Sequence, residues 1–203
     1  MQNDFLRLIA ITDSARDGQA GLIARAAAAA HGGATCIQLR LKGVAACDLV
    51  SLARELVRAV GVPVIVNDRA DVAIAAGAAG VHLGAEDVPV SAIRRIAPDG
   101  FIIGASVGCD EEIRGATGAD YVGIGPVFST GSKNDAGPAI GVEEFTRLAA
   151  ATGLPAVGVG GISADNARSV MRAGAAGVAS MSALFGATDP AAAARALLSA
   201  SES

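Results

Sequence analysis

The sequence predicts an α/β protein, a single-domain (β/α)8 TIM barrel that spans residues 1–203. Three observations lead to this prediction. Short apolar runs alternate with segments of helical periodicity along the whole chain, which is the pattern of a parallel sheet. Eight such pairs are counted, and eight units close into a barrel. The 203 residues show no change of composition that would separate two domains.

The strands are predicted from apolar runs bounded by glycine, proline or polar residues. They cover residues 6–12, 35–41, 63–67, 80–84, 101–105, 121–125, 155–159 and 177–180. An open doubly wound sheet is the alternative arrangement. Its first turn would need a glycine-rich fingerprint, and residues 13–16 have none.

The helices are predicted from Ala, Leu and Val repeating at helical spacing, and several are followed by a glycine that stops them. They cover residues 22–30, 46–60, 71–76, 90–96, 110–117, 142–151, 164–173 and 190–199. Residues 126–141 interrupt this pattern because they are rich in Gly, Ser, Asn and Pro and lack periodicity. We expect them to form the longest loop.

The second strand has two unlike faces. Apolar residues occupy alternate positions of residues 35–42, and Gln38, Arg40 and Lys42 lie between them. Side chains alternate across a strand, so one face is apolar and the other polar and cationic. This suits a barrel strand with helices outside and a ligand site at its inner rim. A solvated edge strand is the alternative.

Composition and charge restrict the partners. The formal net charge of −4 gives no footprint for nucleic acid. No apolar run is long enough to span a bilayer, and residues 1–4 lack the features of a signal peptide, so we expect a cytoplasmic protein. The Ala-rich outer helices would allow packing against a second copy, so a homo-oligomer is compatible with the sequence.

Cysteine and lysine usage is informative. Cys36, Cys47 and Cys109 are odd in number and lack ligand spacing, so we expect reduced, mostly buried thiols and no zinc or disulfide. Of the sixteen basic residues, all but Lys42 and Lys133 are Arg. A lysine kept in an Arg-using chain suggests that a compact ammonium is needed there.

Acidic residues follow two adjacent strands at the barrel rim. Asn67 and Asp68 follow the third strand, and Asp87 follows the fourth. Neighbouring strands lie about 4.8 Å apart, so Asp68 and Asp87 could reach one cation. Mg²⁺ is typically held by one or two carboxylates together with substrate phosphates. Capping of the next helix is the alternative for each residue, but their coincidence favours Mg²⁺.

Hydroxyl groups and the second lysine follow the fifth and sixth strands. Ser106 directly follows the fifth strand, and Thr130, Ser132 and Lys133 lie in the long loop. We expect this loop to close over a bound anion, and a solvated turn is the alternative.

Glycine and serine follow the last two strands. Gly161 belongs to a glycine pair after the seventh strand, and Ser180 and Ser182 follow the eighth. Such segments form the usual phosphate site of this fold, although tight packing would also explain the glycines. His82 alternates with apolar neighbours and is expected to be a hydrogen-bonded residue inside the barrel, without a part in the chemistry.

These residues together predict a diphosphate bound on Mg²⁺ at one side of the rim and a monophosphate at the other. The chemistry that they favour is departure of diphosphate, with cations and metal absorbing the charge that grows on it. Neither a Cys-His pair nor a hydroxyl-His-acid triad is indicated.

Five motifs resemble those of the thiamine phosphate synthase family, in order and over nearly the whole chain. They are Gln-Leu-Arg-Leu-Lys at 38–42, Val-Asn-Asp-Arg at 66–69, Gly-Val-His-Leu-Gly at 80–84 with Glu-Asp at 86–87, Gly-Ile-Gly-Pro-Val-Phe at 123–128 with Thr-Gly-Ser-Lys at 130–133, and Gly-Gly-Ile at 160–162. The resemblance implies a barrel enzyme that joins hydroxymethylpyrimidine diphosphate to a thiazole phosphate and releases diphosphate. The implied mechanism is dissociative, in which the thiazole nitrogen captures a pyrimidine cation.

The resemblance also implies roles for individual residues. Asp68 and Asp87 would bind Mg²⁺, and Gln38 and Ser106 would lie beside the pyrimidine. The diphosphate would be held by Arg40, Lys42, Asn67 and Lys133. The thiazole phosphate would be held by Thr130, Ser132, Gly161 and the backbone amides from Ser180 to Ser182. Of all these, Arg40, Ser106 and Lys133 are expected to act in catalysis itself.

The sequence departs from the family pattern at three places. Ala85 stands where the family often has Gln, Gly108 stands where a His is frequent, and the first strand lacks an aromatic residue. A related family of thiazole tautomerases uses a His at the position of Gly108, so its absence argues against that activity. Two alternatives remain, a tautomerase-like enzyme and a catalytically silent barrel that binds thiazole phosphate or thiamine phosphate.

Overall fold

The computed structural model describes residues 4–15, 17–131 and 137–202, and in them eight parallel strands form a closed barrel. Each strand pairs with the next along the chain, and the last pairs with the first. The strands are β1 (Leu8–Ile11), β2 (Cys36–Leu39), β3 (Val64–Asn67), β4 (Gly80–Leu83), β5 (Ile102–Val107), β6 (Tyr121–Ile124), β7 (Ala156–Val159) and β8 (Gly177–Ser180). This confirms the predicted fold class and excludes the open sheet.

Helices connect the strands and surround the barrel. They are α1 (Gly18–His31), α2 (Ala46–Ala59), α3 (Ala70–Ala76), α4 (Val90–Arg94), α5 (Asp110–Ile113), α6 (Gly141–Thr152), α7 (Ala167–Arg172), α8 (Ser182–Phe185) and α9 (Pro190–Glu202). Short 3₁₀ helices cover Asp4–Leu6 and Arg114–Ala116. None of the helices in the described ranges is long and apolar enough to cross a bilayer.

All sixteen predicted elements are present, with differences at their ends. The helix predicted over 110–117 is divided into α5 and a 3₁₀ turn, and the one predicted over 164–173 begins only at Ala167. Helix α8 was not predicted. It has four residues, too few to show helical periodicity in the sequence.

The hydrophobic core has two layers because strand residues alternate between the barrel interior and the helices. Ile37 and Leu39 of β2 belong to the outer layer, which packs under the helices. Cys36 belongs to the smaller inner cluster, together with Ile9 and Ile65 of the flanking strands. Strand β2 pairs with both β1 and β3, so the alternative of a solvated edge strand is wrong.

The register places inward-facing residues of adjacent strands side by side. His82 of β4 lies opposite Gly104 of β5, and Gly104 lies opposite Tyr121 of β6. Because Gly104 has no side chain, the larger groups of His82 and Tyr121 can meet across it.

The three cysteines are free thiols, and only Cys36 is buried. The expectation of mostly buried thiols is wrong for Cys47 and Cys109, which are exposed. Cys47 lies in the first turn of α2, and Cys109 directly precedes α5 at the carboxyl ends of the strands.

Candidate active site

Two neighbouring cavities open at the carboxyl ends of the strands. The first, here called the charged cavity, has a volume of about 210 Å³. It is lined by Arg40, Lys42, Asn67, Asp68, Gly84, Ala85, Glu86, Asp87 and Ser106. The second, here called the large cavity, has a volume of about 450 Å³. Its lining includes Ile11, Ser106, Gly108, Glu112, Pro126, Thr130, Gly160, Gly161, Ser180, Met181 and Ser182.

Asp68 and Asp87 meet in the charged cavity. Partial burial and the charge and hydrogen bond of Asp87 raise the pKa of the Asp68 carboxyl, and the nearby Lys42 and Arg40 counteract this only in part. One oxygen of Asp87 also accepts a hydrogen bond from the Gly84 N–H at 2.6 Å, which fixes that carboxylate in its loop. The two carboxylates are thus held close together although their charges repel.

The backbone at Asp68 is strained. Asp68 has φ of 64°, and it is the one residue other than glycine with positive φ among those described. This conformation is costly for a residue with a side chain, by about 1–3 kcal/mol, and such strain clusters at functional sites. The Asp68 N–H donates to the His82 carbonyl at 2.8 Å, which holds the turn against β4.

The helix-capping alternative finds no support. Helix α3 has Arg69 at its N-cap position and α4 has Pro89, and neither helix receives a side-chain cap hydrogen bond. Asp68 and Asp87 therefore do not cap these helices, and both line the charged cavity.

The carboxylate pair fits Mg²⁺ better than a metal that needs an all-protein cage. No group of three or more His, Cys, Asp or Glu side chains suited to a metal occurs in the described part of the chain. Mg²⁺ usually takes one or two carboxylates and completes its shell with water and phosphate oxygens. Burial and the neighbouring Asp87 raise the pKa of Asp68, and a divalent cation between the two carboxyl groups would favour their charged forms.

The loop after β7 forms one wall of the large cavity. Gly160 and Gly161 have φ of 91° and 65°, and a Cβ on Gly161 would lie 2.7 Å from the Ser129 carbonyl oxygen. Both positions thus require glycine, for conformation and for space. The Asn166 side chain donates to the Gly161 carbonyl and accepts from the Ser163 N–H, each at 2.9 Å.

Ser180 supports this same loop. Its buried hydroxyl donates to the Ile162 carbonyl at 2.9 Å, so its proton is already used within the protein. Ser182 is the first residue of α8 and lines the cavity next to it. The first N–H groups of a helix have no partner within the helix, so the backbone N–H groups at the start of α8 are donors at this wall of the large cavity.

The loop after β6 covers the large cavity from the other side. Its Val127 and Phe128 N–H groups donate to the Val159 and Gly160 carbonyls at 2.9 and 3.1 Å. The Gly125–Pro126 peptide bond is cis. Thr130 lines the cavity, whereas Ser132 and Lys133 lie outside the described residues.

A third, small cavity lies below both, inside the barrel, and contains a chain of polar side chains. Gln38, buried in β2, lines this space with Arg40 and Asn67. Tyr121 Oη lies 2.9 Å from His82 Nδ1, and His82 Nε2 lies 3.1 Å from Ser106 Oγ. Ser106 lines all three cavities, so it marks the place where they meet.

Every predicted site residue within the described ranges lies at the end of the barrel where the strands have their carboxyl ends. Gln38, Arg40, Lys42, Asn67, Asp68, Asp87 and Ser106 line the charged or the small cavity, and Thr130, Gly161, Ser180 and Ser182 line the large one. Asn166 and Glu112 were missed. Glu112 accepts a hydrogen bond from the Gly108 N–H at 2.6 Å at the edge of the large cavity, a contact that no sequence pattern signals.

A closed parallel barrel with charged and polar groups gathered at the carboxyl ends of its strands is the architecture of a (β/α)8-barrel enzyme. Comparison with known proteins then identifies the family. Residues 8–184 match the family model of thiamine monophosphate synthase, and the chain belongs to this family.

Individual relatives agree with this assignment. The chain is 50% identical over 192 residues to a thiamine-phosphate synthase of Roseiflexus castenholzii, covering 92% of this chain and 84% of that one. It is 55% identical over 174 residues to the thiamine-phosphate synthase of Methanoculleus marisnigri, covering 83% and 82%. Among solved structures, a thiamine phosphate pyrophosphorylase from Pyrococcus furiosus superposes with a TM-score of 0.87 at 37% identity, covering 100% of this chain and 98% of that one.

Proposed function

We propose that this protein is a thiamine phosphate synthase, which joins hydroxymethylpyrimidine diphosphate to a thiazole phosphate and releases diphosphate. The observation that carries this proposal is the pair of cavities that meet at Ser106. The charged cavity offers cationic side chains for a diphosphate. The large cavity offers space and backbone donors for a second phosphorylated molecule. A reaction between the two molecules would take place where the cavities join.

The charges in the charged cavity favour a diphosphate bound together with a metal ion. Arg40 and Lys42 line this cavity together with three carboxylates, those of Asp68, Glu86 and Asp87, so negative groups outnumber positive ones there. A diphosphate alone would be repelled by these carboxylates. With Mg²⁺ held by Asp68 and Asp87 the cavity would gain two positive charges and become attractive to the anion.

The first chemical step in this proposal is departure of the diphosphate. The bond between the pyrimidine methylene carbon and the diphosphate oxygen breaks, and both electrons leave with the oxygen. Arg40, Lys42 and Lys133 would stabilise the charge that develops on it, and Asn67 would orient it. Mg²⁺, when bound, supplies further compensation for that charge.

The second step forms the new bond. The methylene carbon, now part of a pyrimidine cation, accepts the electron pair of the thiazole nitrogen. Gln38 and Ser106 would position the pyrimidine. Gly161 and the amides near Ser182 would hold the thiazole phosphate, with Thr130 and Ser132 contributing hydroxyl groups, and Ser180 would support that wall.

The deciding experiment is diphosphate release from the two phosphorylated substrates, with Mg²⁺ and then with a chelator. Release that needs both substrates and Mg²⁺ supports the proposal. Conversion of one thiazole phosphate isomer into another without diphosphate would instead indicate a tautomerase. Tight binding of thiazole phosphate with no turnover would indicate a silent binding protein.

Variants test the assigned roles. Asp68→Asn should raise the Mg²⁺ concentration needed for half-maximal rate, and Lys42→Ala should slow diphosphate release about tenfold or more, since a charge-assisted hydrogen bond is lost. Asp71→Asn is the matched control, because Asp71 is an exposed carboxylate of α3 that pairs with Arg69 outside the cavity. An unchanged Mg²⁺ titration for Asp68→Asn would remove Asp68 from the metal site.

A further inference from the structure

We infer that Tyr121 and His82 form a directional hydrogen-bond relay that makes the Ser106 hydroxyl a fixed donor toward the bound substrates. Tyr121 and His82 are positioning residues in this proposal, since they act through Ser106. The inference deepens the proposed function and rests on it for its kinetic consequences. The direction of the relay is a property of the protein alone and can be measured separately.

The direction is set first at Tyr121. Its side chain is 1% exposed inside the barrel, and this burial raises the pKa of the phenol well above its ordinary value, so it stays neutral and keeps its proton. A buried hydroxyl proton needs an acceptor. Within the described part of the chain that acceptor is His82 Nδ1, 2.9 Å away.

His82 transmits this direction to the next residue. An Nδ1 atom that accepts a hydrogen bond carries no proton, so a neutral His82 has its proton on Nε2. Nε2 lies 3.1 Å from Ser106 Oγ and therefore donates to it. The opposite tautomer would place an N–H against Tyr121 and leave the buried phenol proton without an acceptor, which is unfavourable.

Ser106 then has a defined role. Because Oγ accepts from His82, its own proton is available to donate elsewhere, and Ser106 lines both the charged and the large cavity. The ligand atom that Ser106 meets must be an acceptor, such as a pyrimidine ring nitrogen or a phosphate oxygen. A donor oriented before the substrate arrives needs no reorganisation during the reaction.

Two glycines provide the space that the imidazole of His82 occupies. A Cβ on Gly104 would lie 2.6 Å from His82 Nδ1, and a Cβ on Gly123 would lie 3.0 Å from its Cε1. The ring therefore occupies space that any other residue at these positions would partly fill. The two glycines therefore leave room for the ring in the orientation that makes both hydrogen bonds.

Nuclear magnetic resonance tests the relay without any activity measurement. The chain has two histidines, and His31→Gln, a change at the exposed end of α1, leaves His82 as the only imidazole. Long-range ¹H–¹⁵N correlations are expected to show a neutral ring protonated at Nε2. In the same background, Tyr121→Phe should release this preference and produce a second tautomer. A ring protonated at Nδ1 with Tyr121 present would overturn the inference.

Kinetics test whether the relay acts through Ser106. Tyr121→Phe should lower kcat about tenfold, as expected for loss of one oriented hydrogen bond of about 1.4 kcal/mol, and leave KM for the thiazole phosphate unchanged. Combined with Ser106→Ala, the same change should cause no further loss. Two losses that multiply would show that Tyr121 only supports the barrel, and would refute the relay. If wild-type protein forms no product, the proposed function fails while the tautomer measurement still decides the relay.

Discussion

Replacing Gly104 by alanine is the sharpest steric test of the barrel interior. An added Cβ would lie 2.3 and 2.4 Å from two ring carbons of Tyr121 and 2.6 Å from His82 Nδ1. Contacts this short would force the packed rings of Tyr121 and His82 to shift by about 1 Å. Gly104 is not among the residues with positive φ, so backbone strain does not contribute and the contacts alone set the cost.

The expected loss is large for a change of one methyl group. Overpacking in a well-packed core costs about 1–3 kcal/mol, and contacts this short place Gly104→Ala at the upper end. For a chain of this size each kcal/mol lowers Tm by about 2–4 °C, so a fall of about 6–12 °C is expected. Diphosphate release should fall as well, because both members of the His82–Tyr121 hydrogen bond are displaced.

Two other glycines provide comparisons for this measurement. Gly61→Ala adds a Cβ with no heavy atom within 4 Å, so Tm should stay within about 2 °C. Gly123→Ala places its Cβ 3.0 and 3.3 Å from His82 ring atoms, where a shift of a few tenths of an ångström suffices, so activity should fall more than stability. Thermal unfolding of Gly104→Ala at the same temperature as Gly61→Ala would refute the packing argument.

Three further outcomes are expected from titratable groups. The pKa of Asp68 is raised, so protons should compete with the Mg²⁺ ion that we propose for this carboxylate, and Mg²⁺ affinity should fall as pH falls. Binding should then release protons, and calorimetry in buffers of different ionisation enthalpy that detects no proton release would contradict this. Tyr121 is the only tyrosine and the chain has no tryptophan, so tyrosinate absorbance reports it alone. Its pKa is raised in the folded state, so above a pH of about 10 the unfolded state loses a proton that the folded state keeps, and stability should fall with rising pH. Tyrosinate should then form together with the loss of circular dichroism, and its formation in folded protein would argue against the burial. Cys47 and Cys109 are exposed and should react with a thiol reagent in the folded protein. Cys109 should react more slowly than Cys47, because a hydrogen bond to Glu111 raises the pKa of its thiol. Cys36, whose pKa is raised by burial, should react only on unfolding, and three thiols that react in the folded protein would be inconsistent with the barrel.

Alternating strands and helices were sufficient to predict the barrel. Eight strand–helix units indicate a closed barrel, in which strand order follows chain order, and the missing glycine fingerprint at residues 13–16 argued against a doubly wound sheet. The same logic placed Asp68 and Asp87 at one rim, because residues that follow adjacent parallel strands must lie side by side. Their pairing required no knowledge of loop conformation.

Other parts of the site depend on contacts that sequence order does not reveal. His82 was expected inside the barrel and lies there, but its partners come from β5 and β6, and only the register brings them together. The role of Ser180 was also beyond the sequence, since a hydroxyl that holds the Ile162 carbonyl and one that meets a ligand have the same pattern. Lys133, although prominent as one of two lysines, lies outside the described residues.

The shared position of Ser106 at both cavities has a consequence for inhibition. A joined product would occupy both cavities at once, so thiamine phosphate should compete with each substrate rather than with one of them. A stable molecule that links a pyrimidine to a thiazole phosphate would gain from the high effective concentration of its second half once the first is bound. The junction therefore suits a bisubstrate inhibitor, with a single linker passing over one serine.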